Sequence, residues 1–200
     1  MPLSEIYPVH GMYRNTTLDD VAMVLQQNDP EAWAATTKWV ESFPDYFHPG
    51  PMSGHGLVLF GNVGTGKTML AAAITNHFNV TGIPDPRSHF GHPRRYSSAW
   101  LQDDELDGLL RDHRHKRFRT DEEDDVMYRL RERVQLVVVD DALHFGGTAE
   151  YLQPFLRARQ AASRPTILTV NGEIGLDDAM SSFLTTWTWA SFSGPDLRRR

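Results

Sequence analysis

The stretch Leu57-Val58-Leu59-Phe60-Gly61-Asn62-Val63-Gly64-Thr65-Gly66-Lys67-Thr68 decides the fold. Its first four residues are apolar and bounded by Gly56 and Gly61, the pattern of a buried parallel strand. Gly61 to Thr68 then fills every defined position of G-x-x-x-x-G-K-[ST], the phosphate-cradling P-loop. Lys67 to Phe78 follows as a helix, with Leu70, Ile74 and His77 along one side. An accidental glycine-rich turn has no reason to carry that strand before it and that helix after it. The glycines let the backbone curl so that successive N–H groups point at an anion, and the helix adds its positive end. Asn62, Val63, Gly64, Thr65 and Gly66 are therefore expected to wrap the phosphates of ATP. Lys67 would reach the β and γ phosphates, and the Thr68 hydroxyl would ligate Mg²⁺.

A triphosphate site needs an acid at the end of a neighbouring strand. Leu136-Val137-Val138-Val139, the strongest strand signal in the chain, ends in Asp140-Asp141. Taken alone, this describes any buried strand meeting solvent; its place downstream of the loop gives it meaning. Asp140 is expected to hold the metal and Asp141 to polarise the attacking water. Aspartate is shorter than glutamate at the second position, so hydrolysis is expected to be slow. Thr166 to Val170 is another apolar strand, ending in Asn171-Gly172. Strand ends gather around the ligand crevice of open α/β sheets, where Asn171 would orient water against the γ-phosphate. Asn-Gly is equally a common turn pair, and both readings stay open.

The remaining chain alternates strands and helices. Asp29-Pro30-Glu31 reads as a helix start with Asp29 as cap, followed by Trp33, Thr36, Val40 and Phe43 on one face. The first 28 residues show no clean period, and residues 79–94 read as loop. Tyr96 to Trp100 has strand character, and Asp103 opens a helix carrying Leu106, Leu109 and Leu110. Thr120 to Glu123 forms a capping box ahead of Val126, Met127 and Leu130. Leu152, Phe155 and Leu156 mark another helix whose start Pro154 obscures. Met180, Phe183, Leu184 and Trp187 mark one more helix, and Trp189 to Phe192 a final strand. The expected fold is α/β, a parallel sheet sandwiched between helices, with no substantial lid domain. Residues 1–48 are expected to form an N-terminal segment and helix packing on a core of residues 49–200.

Bulk properties set limits. Without cysteine there is no disulfide or thiolate metal site. No secretory signal and no membrane-length apolar stretch is visible, so the cytoplasm is the expected location and a membrane partner is not. The net charge of −6 argues against a protein basic all over, but charge is blocky. Arg111, Arg114, Lys116, Arg117 and Arg119 surround Phe118, a set that fits phosphate contact and base stacking, or equally a solvated helix end. His89, His92, His113 and His115 lack ligand spacing and read as surface histidines. Trp187 and Trp189 read as edge-strand packing.

Five segments in order resemble one family. The P-loop followed by Met69-Leu70-Ala71-Ala72-Ala73-Ile74 is similar to that of DnaC-type helicase loaders and of the helper ATPases of insertion-sequence transposition. Val137 to Asp141 resembles their Walker B strand. Arg159, Pro165 to Thr169 and Asn171 resemble their sensor-1 region. Tyr13 to Asp20 looks like the opening of their ATPase domain, which puts Tyr13 among the residues expected at the nucleotide. Ser193 to Arg198 looks like their closing motif. The P-loop alone marks only the superfamily; the ordered set points to this family.

The resemblance implies an AAA+ ATPase that assembles side by side as a homo-oligomer, in a ring or helix. It also implies binding to single-stranded DNA and to a replicative DNA helicase. Lys67, Asp141, Asn171 and Arg198 would be catalytic, and Thr68 and Asp140 would hold Mg²⁺. The chain departs from the pattern in three places. The ATPase core is expected to begin almost at once, without the N-terminal helicase-binding domain of longer loaders, and residues 82–92 are unusually polar. No arginine lies between Arg164 and Arg198, where an arginine finger is usual, leaving Arg159, Arg164 or, by preference, Arg198 to substitute. Two further readings stay open: a transposition helper forming filaments on duplex DNA, and a P-loop small-molecule kinase.

Overall fold

The computed structural model describes residues 7–9, 11–48, 50–82, 97–115, 121–143, 148–172 and 178–199. Five parallel strands form its sheet: β1 (Leu57–Gly61), β2 (Ser98–Gln102), β3 (Leu136–Asp140), β4 (Thr166–Asn171) and β5 (Thr188–Phe192). Their spatial order is β2-β3-β4-β1-β5. The P-loop strand therefore lies between β4 and β5, and each strand hands over to helix before the next begins.

Alternation along the strands builds two cores. Leu57 and Leu59 of β1, with Leu136 and Val138 of β3, face one side. There they meet α1 (Leu18–Asn28), α2 (Pro30–Glu41) and α3 (Lys67–Thr81) through Leu25, Trp39 and Leu70. Val58, Val137 and Val139 face the other side. That side is covered by α4 (Asp103–His115), α5 (Asp121–Tyr128), α6 (Thr148–Ala161) and α7 (Asp178–Leu184) through Leu106, Met127, Phe155 and Met180. A strand buried on both faces must be apolar at every position, which is why β3 reads as an unbroken run. The described residues contain no separate helical lid, and none of their helices is long and apolar enough to cross a membrane.

Four local expectations change. The unpatterned N-terminal stretch holds α1, opened by a capping box in which Thr17 Oγ1 accepts from Asp20 N–H and Asp20 Oδ2 accepts from Thr17 N–H. Aspartate in the place of glutamate hid that signal. Asp29 precedes Pro30 as expected, but its carboxylate makes no cap bond to α2. On α2 the fully buried residues are Ala32, Thr36 and Trp39; Trp33 and Val40 are only partly covered. Helix α6 continues through Pro154, so that proline does not mark its start. Directly after α2, Phe43 to Phe47 turns as a 3₁₀ helix, with Phe43 stacked on Phe78 at 3.9 Å between ring centroids. Tyr96, the run 83–96, the side chains of Thr120 to Glu123, Lys116 to Arg119, His89, His92 and the His115 side chain lie outside the described residues.

Candidate functional site

The site grows from the point where β1 stops. Gly64 at φ +84° and Gly66 at φ +99° place the loop in a region that favours glycine, and α3 starts at once behind it. Gly66 offers no side-chain cap, so the first N–H groups of α3 stay directed at the loop. Thr65 Oγ1 donates to the Asn62 carbonyl at 2.9 Å and closes the curl. Lys67 is buried and folds back, donating from Nζ to the carbonyls of Gly61 at 2.8 Å and Asn62 at 2.6 Å. Burial pulls its pKa below the ordinary lysine value, opposed by Asp141 and Asp140, while Arg198 pulls in the same direction as burial.

Asp140, at the end of β3, is 4% exposed. Its Oδ1 accepts from Thr169 Oγ1 at 2.5 Å and Thr68 Oγ1 at 3.0 Å, and its Oδ2 accepts from Gln102 Nε2 at 3.4 Å. Burial pushes the carboxyl above the usual range and the Asp141 charge adds to it, while the Thr169, Thr68 and Gln102 donors work against the rise. Asp141 turns off the strand at φ +54°, a conformation that aspartate tolerates better than most residues. Its N–H donates to Thr169 Oγ1 at 2.9 Å, and its Oδ1 accepts from Asn171 Nδ2. Alternate residues of β4 thus hold the two consecutive acids: Thr169 bonds the Asp140 carboxylate and the Asp141 backbone, and Asn171 bonds the Asp141 carboxylate.

The far wall comes from the C-terminal segment. Leu197 N–H donates to the Gly64 carbonyl at 2.8 Å. A Cβ on Gly64 would run into the Asp196 carboxylate, so the loop and this segment meet without spare room. Together these parts enclose a cleft of about 270 Å³. Of the residues expected from sequence, Tyr13, Val63, Gly64, Gly66, Lys67 and Thr68 line it, as do Asp141, Asn171 and Arg198. Asn62 and Thr65 brace the loop from within, and Asp140 lies beneath Thr68.

Gln102 escapes the sequence reading, while Thr169, Met69 and Leu197 fall inside the matched segments without an expected role at the site. Thr169 was within reach, being two residues before Asn171 on the same strand face. Gln102 was not, because its register opposite Asp140 depends on strand order.

Arginines divide sharply. Arg198 enters the cleft of its own chain. Arg159 is fully buried and donates to Thr166 Oγ1 and to the carbonyls of Leu130, Val134 and Pro165. It is not placed to reach a neighbouring molecule. Arg164 donates to the Glu132 carbonyl at 2.9 Å. In the basic block, Arg111 pairs with Asp107 at 2.8 Å and Arg114 with Glu150 at 2.9 Å, and both guanidinium groups lie over the Tyr151 ring.

No group of three His, Cys, Asp or Glu side chains suited to a metal occurs among the described residues. Magnesium at a nucleotide needs fewer, because substrate phosphates and water supply most ligands. The adjacent Thr68 hydroxyl and Asp140 carboxylate are two hard oxygen donors and fit that role.

No protein-family model matches the sequence, and no curated protein does. Solved structures match the fold. The replication initiator DnaA bound to AMPPCP and single-stranded DNA superposes with a TM-score of 0.65 at 16% identity, covering 92% of this chain and 51% of that one. DnaI gives 0.61 at 21% identity, covering 94% of this chain and 93% of that one. The DnaC helicase loader gives 0.57 at 16% identity, covering 92% and 100%. The chain spans about half the length of the replication initiators it matches. Strand order, loop and these likenesses agree: this is the AAA+ type of P-loop fold, the one shared by helicase loaders and replication initiators.

Proposed function

We propose that the chain binds and slowly hydrolyses ATP and works as a helicase loader, holding single-stranded DNA and a replicative helicase as a homo-oligomer. The observation that carries the nucleotide part is the convergence of Lys67, Asp141 and Asn171 on one cleft at the loop. The loader part is supported by the match to DnaI and the DnaC helicase loader over nearly the whole of both chains. Lys67 would leave the carbonyls of Gly61 and Asn62 for phosphate oxygens, while the loop N–H groups hold the rest of the polyphosphate. Thr68 and Asp140 would hold Mg²⁺, which neutralises charge on the phosphates. Asp141, oriented by the Asn171 amide, would accept a proton from the attacking water, and Arg198 would face the charge building on the transferred group.

Binding of ATP with magnesium is the first test. Lys67→Ala is expected to weaken it at least about tenfold through loss of charge-assisted hydrogen bonds. Equal uptake by parent and variant sinks the nucleotide reading. Single-stranded and duplex oligonucleotides, each with and without ATP, form the second test. ATP-dependent retention of single strands supports the loader. Preference for duplex points instead to a filament-forming transposition helper, and phosphoryl transfer to a metabolite without DNA points to a kinase.

A further inference from the structure

Asp29 stands between α1 and α2, where its neighbour Pro30 makes it look like a helix cap. Asp29 is 4% exposed, and its carboxylate makes no cap bond to α2. Oδ1 accepts from the backbone N–H of Ser193 at 2.7 Å and of Gly194 at 2.8 Å. Two N–H groups on one carboxylate oxygen make a strong, directional grip. Gly194 is pressed so close that a Cβ there would collide with Asp29 Oδ2. The contact joins positions 165 residues apart, and it is where the chain leaves β5.

Beyond Gly194 a short strap, Pro195-Asp196-Leu197-Arg198, crosses to the P-loop. Leu197 N–H is bonded to the Gly64 carbonyl, and Arg198 enters the cleft. Asp196 Oδ1 accepts from the Arg198 backbone N–H at 3.0 Å, which sets the last turn of the strap. One end is held at Asp29 and the other at the loop. Only Pro195 and Asp196 lie between the two anchored positions, Gly194 and Leu197, so the strap that carries Arg198 has little slack.

We propose that Asp29 is a positioning residue for the nucleotide site, gripping Ser193 and Gly194 so that the strap delivers Arg198 into the cleft. The proposal rests on the reading of this cleft as a nucleotide site. Asp29 touches neither loop nor cleft; it acts through the strap. A carboxylate suits the task because a single oxygen takes both N–H groups, and an amide oxygen at the same position preserves the geometry without the charge.

A double-mutant cycle on ATP affinity tests it, using Asp29→Ala, Arg198→Ala and the pair, with unfolding followed in parallel. Asp29→Ala is expected to weaken binding about tenfold in the parent and less than about twofold in the Arg198→Ala background, since coupled residues fail to add. Asp29→Asn is expected to recover most of the affinity. Gly194→Ala, which keeps the Asp29 residue but puts a Cβ where its Oδ2 lies and so breaks the grip from the strap's side, is expected to copy Asp29→Ala and provides the readout should that variant fold poorly. Equal losses in both backgrounds, or full affinity in Asp29→Ala and Gly194→Ala, overturn the proposal while leaving nucleotide binding intact. A parent chain that takes up no ATP overturns both.

Discussion

Thr169 donates its hydroxyl hydrogen to Asp140 across 2.5 Å and accepts the N–H of Asp141 at 2.9 Å. One side chain of β4 therefore holds both acids at the end of β3. Thr169→Val keeps the shape and removes both bonds, so unfolding stability is expected to fall by about 1–3 kcal/mol. The pH dependence follows from Asp140. Its carboxyl already titrates above the ordinary value in the folded chain because it is buried. A raised carboxylate costs stability as pH rises from the unfolded value through the folded one. Losing the Thr169 donor raises it further, so urea unfolding should show a larger deficit at neutral pH than in mild acid. A deficit independent of pH contradicts this account.

Among the described residues Arg159 is the largest fully buried charged side chain. Its guanidinium gathers the carbonyls of Leu130 and Val134, around the π-helical turn Arg129–Arg133 that ends α5, and the Pro165 carbonyl before β4. Arg159→Ala leaves those carbonyls buried without that donor and opens a void, so a loss of about 3–5 kcal/mol is expected. Lysine cannot copy the planar fork and should recover little. The check is a thermal melt beside ATP affinity at low temperature, where the folded variant should bind like the parent.

The sheet was legible because β1, β3 and β4 are buried on both faces and so write unbroken apolar runs. The P-loop was legible because its glycines answer to backbone geometry rather than to neighbours. Asp29 shows where reading stopped: the sequence beside it says helix cap, and its true partners lie at Ser193 and Gly194. Arg159 fell in the same class. A polar side chain whose partners are distant backbone groups, N–H for Asp29 and carbonyl for Arg159, leaves no local pattern. Gln102 reaches Asp140 only because β2 lies beside β3, an adjacency that nothing in the linear order specifies.

His55 offers a pH test away from the cleft. It is half-buried before β1, its Nε2 bonded to Thr188 Oγ1 at 2.9 Å and its ring 5.3 Å from that of Tyr46. Burial holds the imidazole below its ordinary pKa. A histidine depressed in the folded state is protonated first in the unfolded chain. Its contribution is present above about pH 6.5 and lost as pH falls from there through the folded value. The urea midpoint is expected to drop between about pH 7.5 and about pH 5.5, and His55→Gln to shrink that drop. An unchanged drop assigns the effect to other groups.

Asp141 and Asn171 provide the sharpest separation of binding from turnover. Asp141 lies on the cleft wall, and the Asn171 amide donates to its Oδ1, aiming the other oxygen elsewhere. If Asp141 accepts the proton of the attacking water, Asp141→Asn removes the base while keeping size and shape. Turnover is then expected to fall by about 10²–10⁴-fold, the range of general-base losses, with ATP affinity held within a few-fold. Asn171→Ala leaves the base but frees its orientation, so a smaller loss of about tenfold is expected. Lys67→Ala differs from both, because it acts on uptake first. Single-turnover hydrolysis at saturating ATP, measured beside equilibrium binding, distinguishes the three. Affinity that collapses in Asp141→Asn would mean that Asp141 holds the nucleotide rather than the water. Unchanged turnover in that variant would mean that the proton leaves by another route.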